Sequence, residues 1–252
     1  MTTGKLTFLL FLFCLVFPCY ADFKAGGDAY IRGDYEAAAA EFIPLAERGD
    51  HRAMYALGSM YAEGHGVEKD LKKSFKLFSE AAQNGRADAM YKLGLMYEEG
   101  LGVKKSLKKA LRWYQKSSKK GYPLSQYRFG LMYADGKGVK HNPTTAYAWL
   151  VVAGHYFIYE SLNPDDEEIN KAKPDSKQQL LLFHKQEKER ILDAIIEQLQ
   201  LLKENMTTED IETTRKKVIK FRQYRKTYNI VDSKDSLSDS KIENLFLPET
   251  LY

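Results

Sequence analysis

The chain has 252 residues, of which 44% are hydrophobic and 29% charged, and its formal net charge is +4. This composition suits one or two globular domains, and so small a net charge indicates no particular class of partner. Both cysteines, Cys14 and Cys19, lie near the N-terminus, so a chain cleaved after them can form no disulfide, thiolate metal site or thiol nucleophile.

The N-terminus has the pattern of a secretory signal peptide. Lys5 precedes an apolar run, Leu6 to Phe17, which is shorter than the ~20 residues needed to span a bilayer. Small residues, Cys19 and Ala21, occupy the two positions that signal peptidase reads. We predict a cleaved signal peptide over residues 1–21 and export to the periplasm or the medium, ahead of the endoplasmic reticulum lumen. Acylation at Cys19, as in a lipoprotein, is the alternative.

A 36-residue repeat follows, because LGSMYAEGHGV at 57–67 recurs as LGLMYEEGLGV at 93–103 and FGLMYADGKGV at 129–139. Self-similarity at a fixed period is the mark of a repeat architecture. The recurring positions are one glycine within a helical pattern, one tyrosine and two loop glycines: Gly58, Tyr61, Gly64 and Gly66; Gly94, Tyr97, Gly100 and Gly102; Gly130, Tyr133, Gly136 and Gly138.

Each repeat is predicted to contain two helices. In the first helix Ala53, Leu57 and Tyr61 fall at helical spacing, and the second helix has a similar apolar stripe. The two loop glycines supply the positive φ that lets the chain reverse between the helices. A glycine inside a helix costs about 1 kcal/mol relative to alanine, so Gly58 and its equivalents predict close approach of a neighbouring helix.

The repeats divide the chain as follows. We predict an array over 22–157, in which an irregular capping half-repeat at 22–50 precedes full repeats at about 53–88, 89–124 and 125–157. An acidic linker with two prolines follows at 158–175. Two amphipathic helices over 176–228 are expected to pack on the last repeat as a C-terminal cap, and the polar tail at 229–252 is expected to be disordered.

The pattern Ala-x3-Leu-Gly-x2-Tyr-x2-Gly-x-Gly-Val, at period 36 over about residues 23–156, resembles the Sel-1-like repeat, a relative of the tetratricopeptide repeat. The third repeat departs slightly, with Ser125 and Phe129 at the usual alanine and leucine positions. The resemblance implies an all-α fold, a right-handed α-solenoid of helix-turn-helix repeats, here with a C-terminal helical cap. It also implies an adaptor that acts by binding other proteins.

No set of residues in the sequence indicates catalysis. The five histidines form no i, i+4 zinc pair and follow no nucleophile motif, and we interpret them as surface or loop residues. The Gly-x-Gly triplets follow no strand. We therefore predict no catalytic, cofactor-binding or metal site. The alternative is a cell-wall-associated hydrolase, because some Sel-1-like proteins carry a β-lactamase label; those members staple each repeat with a disulfide, for which this chain has no cysteines.

We predict an exported, non-enzymatic scaffold that grips a protein partner in the groove of the solenoid. The groove is assigned to first-helix positions that the core does not claim, although the recurring tyrosines can equally serve packing. These residues are Tyr55, Ser59, Glu63, Tyr91, Lys92, Leu95, Glu99, Tyr127, Arg128, Leu131 and Asp135.

Two segments are strongly basic. Residues 104–120 contain eight cations and no acid, and residues 215–226 contain seven cations. One interpretation is that both are simply solvated faces, as most charge runs are. The other is contact with an anionic surface, such as lipid head groups or cell-wall polymer. We expect no nucleic acid partner.

Overall fold

The structure is a computed structural model that describes residues 21–162 and 174–227. The predicted signal peptide, except Ala21, the predicted tail over 229–252 and most of the predicted linker lie outside the described residues. Every regular element within the described residues is a helix: α1 (Phe23–Ile31), α2 (Tyr35–Glu47), α3 (His51–Glu63), α4 (Leu71–Gln83), α5 (Ala87–Glu99), α6 (Leu107–Lys119), α7 (Pro123–Asp135), α8 (Pro143–Leu162), α9 (Pro174–Glu204) and α10 (Thr208–Thr227).

The predicted all-α repeat fold is confirmed. Helices α3, α5 and α7 are the first helices of the three repeats, and α4, α6 and α8 are the second helices. Helices α1 and α2 form the irregular pair before them. Contacts divide the chain into two compact units, a first unit that ends at Glu80 and a second unit that begins at Ala81. The 36-residue pattern gives no sign of this division.

The first helices end where the loop glycines predict. Gly64, Gly100 and Gly136 have φ values of 82°, 82° and 70°, and each donates its backbone N–H to a methionine carbonyl four residues earlier. This left-handed conformation favours glycine, and it stops the helix while satisfying one of its last carbonyls. The beginnings differ, because Asp50 caps α3 with its side chain whereas Arg86 and Tyr122 give α5 and α7 no such hydrogen bond.

The core of the first unit contains small residues under aromatic rings. Phe42 of α2 is buried, and its ring lies 5.4 Å from the ring of Phe23. Gly26 of α1 lies so close to the Phe42 ring that a Cβ there would meet it at 2.6 Å. In the first repeat Phe78 occupies the equivalent place against Gly58. Burying an aromatic side chain of this kind contributes about 2 to 3 kcal/mol.

The second unit ends in a helical layer around α8. Residues 146–155 of α8 are all buried. Ile195 and Leu199 of α9 and Val218 of α10 belong to the same buried cluster, and both helices contact α8. The Lys217 ammonium of α10 also donates to the hydroxyls of Thr144 and Thr145, at 2.7 and 3.1 Å. These two C-terminal helices therefore cover the second helix of the third repeat.

The bounds around the predicted linker differ from expectation. The linker was expected from residue 158 to 175, but α8 continues to Leu162 and α9 already begins at Pro174. Proline suits the first turn of a helix because its missing N–H has no helical partner there. Among the helices of residues 21–162 and 174–227, none combines the length and apolar composition that crossing a bilayer requires.

Candidate functional site

The predicted groove residues lie on α3, α5 and α7, the three first helices. In the first unit, Tyr55 is half-buried with its ring 5.6 Å from that of Phe78, and the Ser59 hydroxyl donates to the Tyr55 carbonyl at 3.3 Å. Glu63 is exposed and lies 3.1 Å from His65 Nδ1. The tyrosine is thus engaged with the core, while the carboxylate at the end of α3 faces solvent.

Four predicted groove residues of the second unit pack partly on the core. Tyr91 and Leu95 of α5 contact the buried cluster that contains Tyr114. Tyr127 and Leu131 of α7 contact the buried cluster around α8. All four are half-buried, so each presents only part of its side chain to a partner.

A polar network joins α5, α6 and α7 on the second unit. The hydroxyl of Tyr114, whose side chain is 0% exposed, donates to Glu98 Oε2 at 2.6 Å. The other oxygen of Glu98 lies 4.0 Å from Arg128 Nη1. Arg128 also interacts with the hydroxyl of Tyr91, whose ring lies 5.9 Å from that of Tyr114. The structure therefore brings together two predicted groove residues, Tyr91 and Arg128, through a buried phenol and a carboxylate.

The protonation states in this network follow from burial. Burial raises the pKa of the Tyr114 hydroxyl, and the Glu98 carboxylate that accepts its hydrogen bond raises it further. Burial also raises the pKa of Tyr91, against the opposing charge of Arg128. Burial acts to lower the pKa of Arg128, but Tyr91 and Glu98 outweigh it and the net shift is upward. The Tyr91 and Tyr114 hydroxyls therefore stay neutral, and the Arg128 guanidinium stays charged.

Glu98 is a site residue that the predicted groove omits. Its carboxylate is the bridge between Tyr114 and Arg128, with a side chain that is 20% exposed. A signal was present in the sequence, because Ala62 and Ala134 hold the equivalent places in the other repeats. Likewise Phe78 and Leu150 stand where the second repeat has Tyr114. The glutamate and the hydroxyl it binds occur together in a single repeat.

The remaining predicted groove residues of the second unit are charged. Lys92 is half-buried and Glu99 is exposed on α5. Asp135, exposed at the end of α7, pairs with Lys137 at 2.8 Å. These charged groups give the face both signs of charge, which suits a polar partner surface better than a purely apolar one.

The close approach predicted at the mid-helix glycines is confirmed. A Cβ at Gly58 would lie 3.0 Å from Phe78 Cε1, and one at Gly130 would lie 3.0 Å from Leu150 Cγ. At Gly94 a Cβ would overlap the ring of Tyr114. In every repeat the second helix thus presses its large side chain against the glycine of the first helix.

The last loop glycine of the motif has a different role. A Cβ at Gly138 would lie 2.8 Å from the backbone of Leu107, and one at Gly66 would overlap the carbonyl of Tyr35. Leu107 and Tyr35 begin the second helix of the preceding pair. The positive φ values of Gly66 and Gly138, 64° and 72°, also exclude most other residues.

The two basic segments differ in the structure. All eight cations of 104–120 are exposed, on α6 and the residues flanking it. In the second segment, by contrast, Lys217 points into α8, and burial lowers its pKa. Lys216 is exposed and lies 3.7 Å from Glu212. Lys217 is therefore a structural contact rather than part of a free basic face.

The histidines lie in unlike places. His51 and His141 are exposed, and His141 Nδ1 lies 2.7 Å from the Ala134 carbonyl. His65 stacks on Tyr35 with ring centroids 4.4 Å apart. His155 is buried, so its interpretation as a surface or loop residue was wrong: it lies inside α8, which the C-terminal helices cover. Within the described parts of the chain, no three His, Cys, Asp or Glu residues form a group that could hold a metal ion.

Comparison with curated proteins identifies one short similarity. The chain is 41% identical over 58 residues to an exopolysaccharide production negative regulator from Rhizobium leguminosarum bv. viciae. The match covers 23% of this chain and 22% of that protein. The chain therefore matches only about a fifth of the length of this relative.

Comparison with solved structures identifies the same architecture. A Sel1 repeat protein from Oxalobacter formigenes superposes with a TM-score of 0.52 at 20% identity, covering 82% of this chain and 84% of that one. A protective antigen of uropathogenic Escherichia coli that displays an SLR fold has a TM-score of 0.46 at 20% identity, covering 77% of this chain and 49% of that one. The first likeness supports the fold.

The family comparison agrees with the repeats described above. The Sel1 repeat family matches residues 51–85, 87–122 and 123–153. These bounds begin two residues before the repeats predicted from the sequence pattern. Each matched segment contains one first helix with its glycine and the glycine loop; the first two also contain the whole second helix, and the third ends within α8. The chain therefore contains three Sel1 repeats, and the resemblance predicted from its sequence is confirmed.

Proposed function

We propose that this chain is an exported, non-enzymatic scaffold that binds a protein partner through the first helices of its repeats. Sel1 repeats generally serve protein–protein interaction, and the repeats cover the greater part of the described residues before α9. The sequence pattern of residues 1–21 supports export, and the scaffold role needs no catalytic group. A partner would contact side chains of α5 and α7, two of which, Tyr91 and Arg128, interact in the polar network.

The observation that carries this proposal is the state of Arg128. Its side chain is 39% exposed, and the Glu98 carboxylate, which accepts the Tyr114 hydrogen bond through its other oxygen, lies 4.0 Å away. The guanidinium is therefore held in place and charged while keeping N–H donors for a partner. Partly buried arginines flanked by tyrosines are typical of the residues that dominate protein interfaces.

The test is a triple alanine substitution of Lys92, Glu99 and Arg128. We expect the variant to fold as the wild type does and to recover less of the crosslinked partner from the native compartment, measured by mass spectrometry. The matched control replaces Lys185, Glu189 and Arg190 of α9, which have the same charges and are exposed. Equal recovery of partners by all three proteins would contradict the groove assignment.

Export has its own test. The proposal expects a mature protein that begins at Asp22, found in the periplasm or the medium, and N-terminal sequencing of the purified protein checks this. Asp22 suits the new terminus because its side chain already caps α1 by accepting from the Lys24 N–H. An uncleaved chain found only in the cytosol would contradict export without affecting the protein-binding proposal.

The absence of catalysis is tested with a chromogenic β-lactam. We expect no turnover by the purified mature protein. Turnover that follows the protein through purification would favour the hydrolase alternative.

A second contact is part of the proposal. The exposed cations of 104–120 favour contact with an anionic surface, for which lipid head groups and cell-wall polymer are the two candidates. The run at 215–226 has weaker support, since Lys217 is engaged with Thr144 and Thr145. We propose no nucleic acid partner.

A further inference from the structure

The cations of the second repeat form a continuous stripe along α6. Lys108, Lys109, Arg112, Lys116 and Lys119 lie within α6, where spacings of three and four residues place them on neighbouring turns. Lys104 and Lys105 precede the helix and Lys120 follows it, and all eight cations are exposed. We call this set the α6 stripe; its members are Lys104, Lys105, Lys108, Lys109, Arg112, Lys116, Lys119 and Lys120. Helix α6 has 13 residues, so the helical part of the stripe is about 20 Å long and one helix wide.

The full stripe occurs only in the second repeat, because the first repeat has cations at four of the eight equivalent places, Lys69, Lys72, Lys73 and Lys76, but acids at two others. In the first repeat Glu68 and Glu80 hold the places of Lys104 and Lys116, and Glu80 lies 4.0 Å from Lys76. In the third repeat most of the equivalent places are uncharged. Like charges three or four residues apart destabilise a helix, and residues 104–120 contain no acid to offset them. A bound polyanion would relieve this repulsion.

The side chains around the α6 stripe indicate which class of polyanion it can bind. No large apolar side chain of α6 is exposed, and Leu101, which is 37% exposed before the helix, is a single residue, so the stripe has no apolar face to insert into a lipid bilayer. Trp113 is half-buried and the Lys116 ammonium lies 4.4 Å from the centre of its ring, so a cation of the stripe already covers one face on which a base would stack. Seven of the eight cations are lysines, whose ammonium groups act as point charges rather than as the planar fork of arginine.

From these observations we propose that the α6 stripe binds one chain of an acidic polysaccharide, laid along the helix. A stripe one helix wide matches a single extended polymer, whereas a membrane presents a plane and duplex DNA carries two phosphate rows. Hydrated carboxylates or phosphates along the polymer pair with the lysines without fixed geometry. This inference rests on the anionic contact proposed above and is independent of the protein-binding face.

The test measures binding of polygalacturonate, a linear polysaccharide with one carboxylate per sugar, to the full mature protein at low salt. The variant K104E/K116E places in the second repeat the acids that the first repeat has, so it is expected to fold. We expect at least about tenfold weaker binding by this variant, and binding by the wild type that falls steeply as salt is added.

A matched control separates the stripe from the net charge. Lys72 and Lys140 are exposed in the first and third repeats, and Lys72 holds the place of Lys108 while Lys140 holds the place of Lys104. The variant K72E/K140E has the same net charge as K104E/K116E, and we expect it to bind polygalacturonate within about threefold of the wild type. Equal losses in the two variants would show that net charge alone acts, and would overturn the proposal.

Stability supplies a second measurement. A polymer that binds the folded protein raises its melting temperature, so polygalacturonate should raise that of the wild type and of K72E/K140E but not that of K104E/K116E. Tighter binding of phosphatidylglycerol vesicles or of duplex DNA than of polygalacturonate would overturn the choice of polymer. Partner recovery should be unaffected by K104E/K116E, so failure of this inference and failure of the protein-binding proposal give different results.

Discussion

The second and third repeats use the same backbone to bury different chemistry. In the second repeat Tyr114 is pressed against Gly94 and its hydroxyl is bound by Glu98. In the third repeat Leu150 takes the place of the tyrosine and Ala134 that of the glutamate. A leucine needs no hydrogen bond, whereas a buried phenol without one costs about 1 to 3 kcal/mol. In the second repeat the polar core residue and the residue that satisfies it therefore occur together.

The largest expected effect is at the glycine beneath the tyrosine. Gly94→Leu should destabilise the protein by several kcal/mol, about 3 or more, because a Cβ there already overlaps the rigid Tyr114 ring. Thermal unfolding followed by circular dichroism measures this. An unchanged melting temperature would contradict the close-approach argument.

Two further glycine substitutions sharpen that comparison. Gly130→Ala should cost less than Gly94→Ala, since its Cβ would meet the flexible Leu150 side chain at 3.0 Å rather than overlap a ring. Gly27→Ala in α1 is the control, because nothing lies within 4 Å of a Cβ there. It should be neutral or should stabilise by up to about 1 kcal/mol through helix propensity.

The next largest effect concerns Glu98. Glu98→Ala should cost about 2 kcal/mol in unfolding free energy, because the buried Tyr114 hydroxyl would lose its acceptor. The double variant Glu98→Ala with Tyr114→Phe recreates the pair found in the first repeat, Ala62 and Phe78, and should recover much of that loss. A double-mutant cycle in chemical denaturation measures the coupling. Simple additivity would show that the hydrogen bond contributes nothing.

A smaller effect is expected at Asp50, whose side chain caps α3 whereas α5 and α7 have no such cap. Asp50→Ala should cost about 1 kcal/mol, because the Asp50 side chain accepts from the Arg52 and Ala53 N–H groups at the start of α3. Its hydrogen bond to Arg52 lowers the pKa of Asp50 from 3.8 to about 2. Since the folded-state value is the lower one, the contribution is complete above about pH 4 and is lost as the pH falls toward 2. Wild type and variant should therefore converge in acid, as measured by unfolding at pH 6 and pH 2.

The smallest expected effect is a gain in stability rather than a loss. The Ser74 hydroxyl is buried and makes no hydrogen bond within the described residues, whereas Ala110 and Ala146 hold its place in the other repeats. Ser74→Ala should therefore stabilise the protein by up to about 1 kcal/mol, measured by chemical denaturation. A loss of stability would show that the hydroxyl is satisfied in solution, for instance by a water molecule.

Much of the fold was predictable because the repeat places glycine where only glycine fits. The positive φ of the loop glycines and the contacts of Gly58, Gly94 and Gly130 follow from the alignment alone. The interactions that depart from the repeat were harder to predict. Glu98 depends on a side chain reaching two other helices, and Lys217 meets Thr144 from 73 residues away, a pairing that no local pattern marks.

The candidate site was predicted less well than the fold for the same reason. The alignment identifies which positions lie on the first helices, but it does not show how much of each side chain the core covers. Tyr91, Leu95, Tyr127 and Leu131 share their surface with buried clusters, so their sequence positions overstate what a partner can touch. Arg128 was predicted to be a groove residue from its position on a first helix. Its charged, half-exposed state depends on the side chains around it, which the sequence pattern does not show.

The contacts of Gly66 and Gly138 with the preceding helix pair have a consequence for how such a chain can change in length. Gly66 approaches Tyr35, and Gly138 approaches Leu107, across the same interval of sequence. If residues 87–122 were deleted as one block, Leu71, the counterpart of Leu107, would stand as far before Gly138 in the sequence as Leu107 does now. Deleting part of the block would move every later glycine out of register. An array built this way can lose or duplicate whole modules, and genetic variation in its length is expected in steps of one complete repeat.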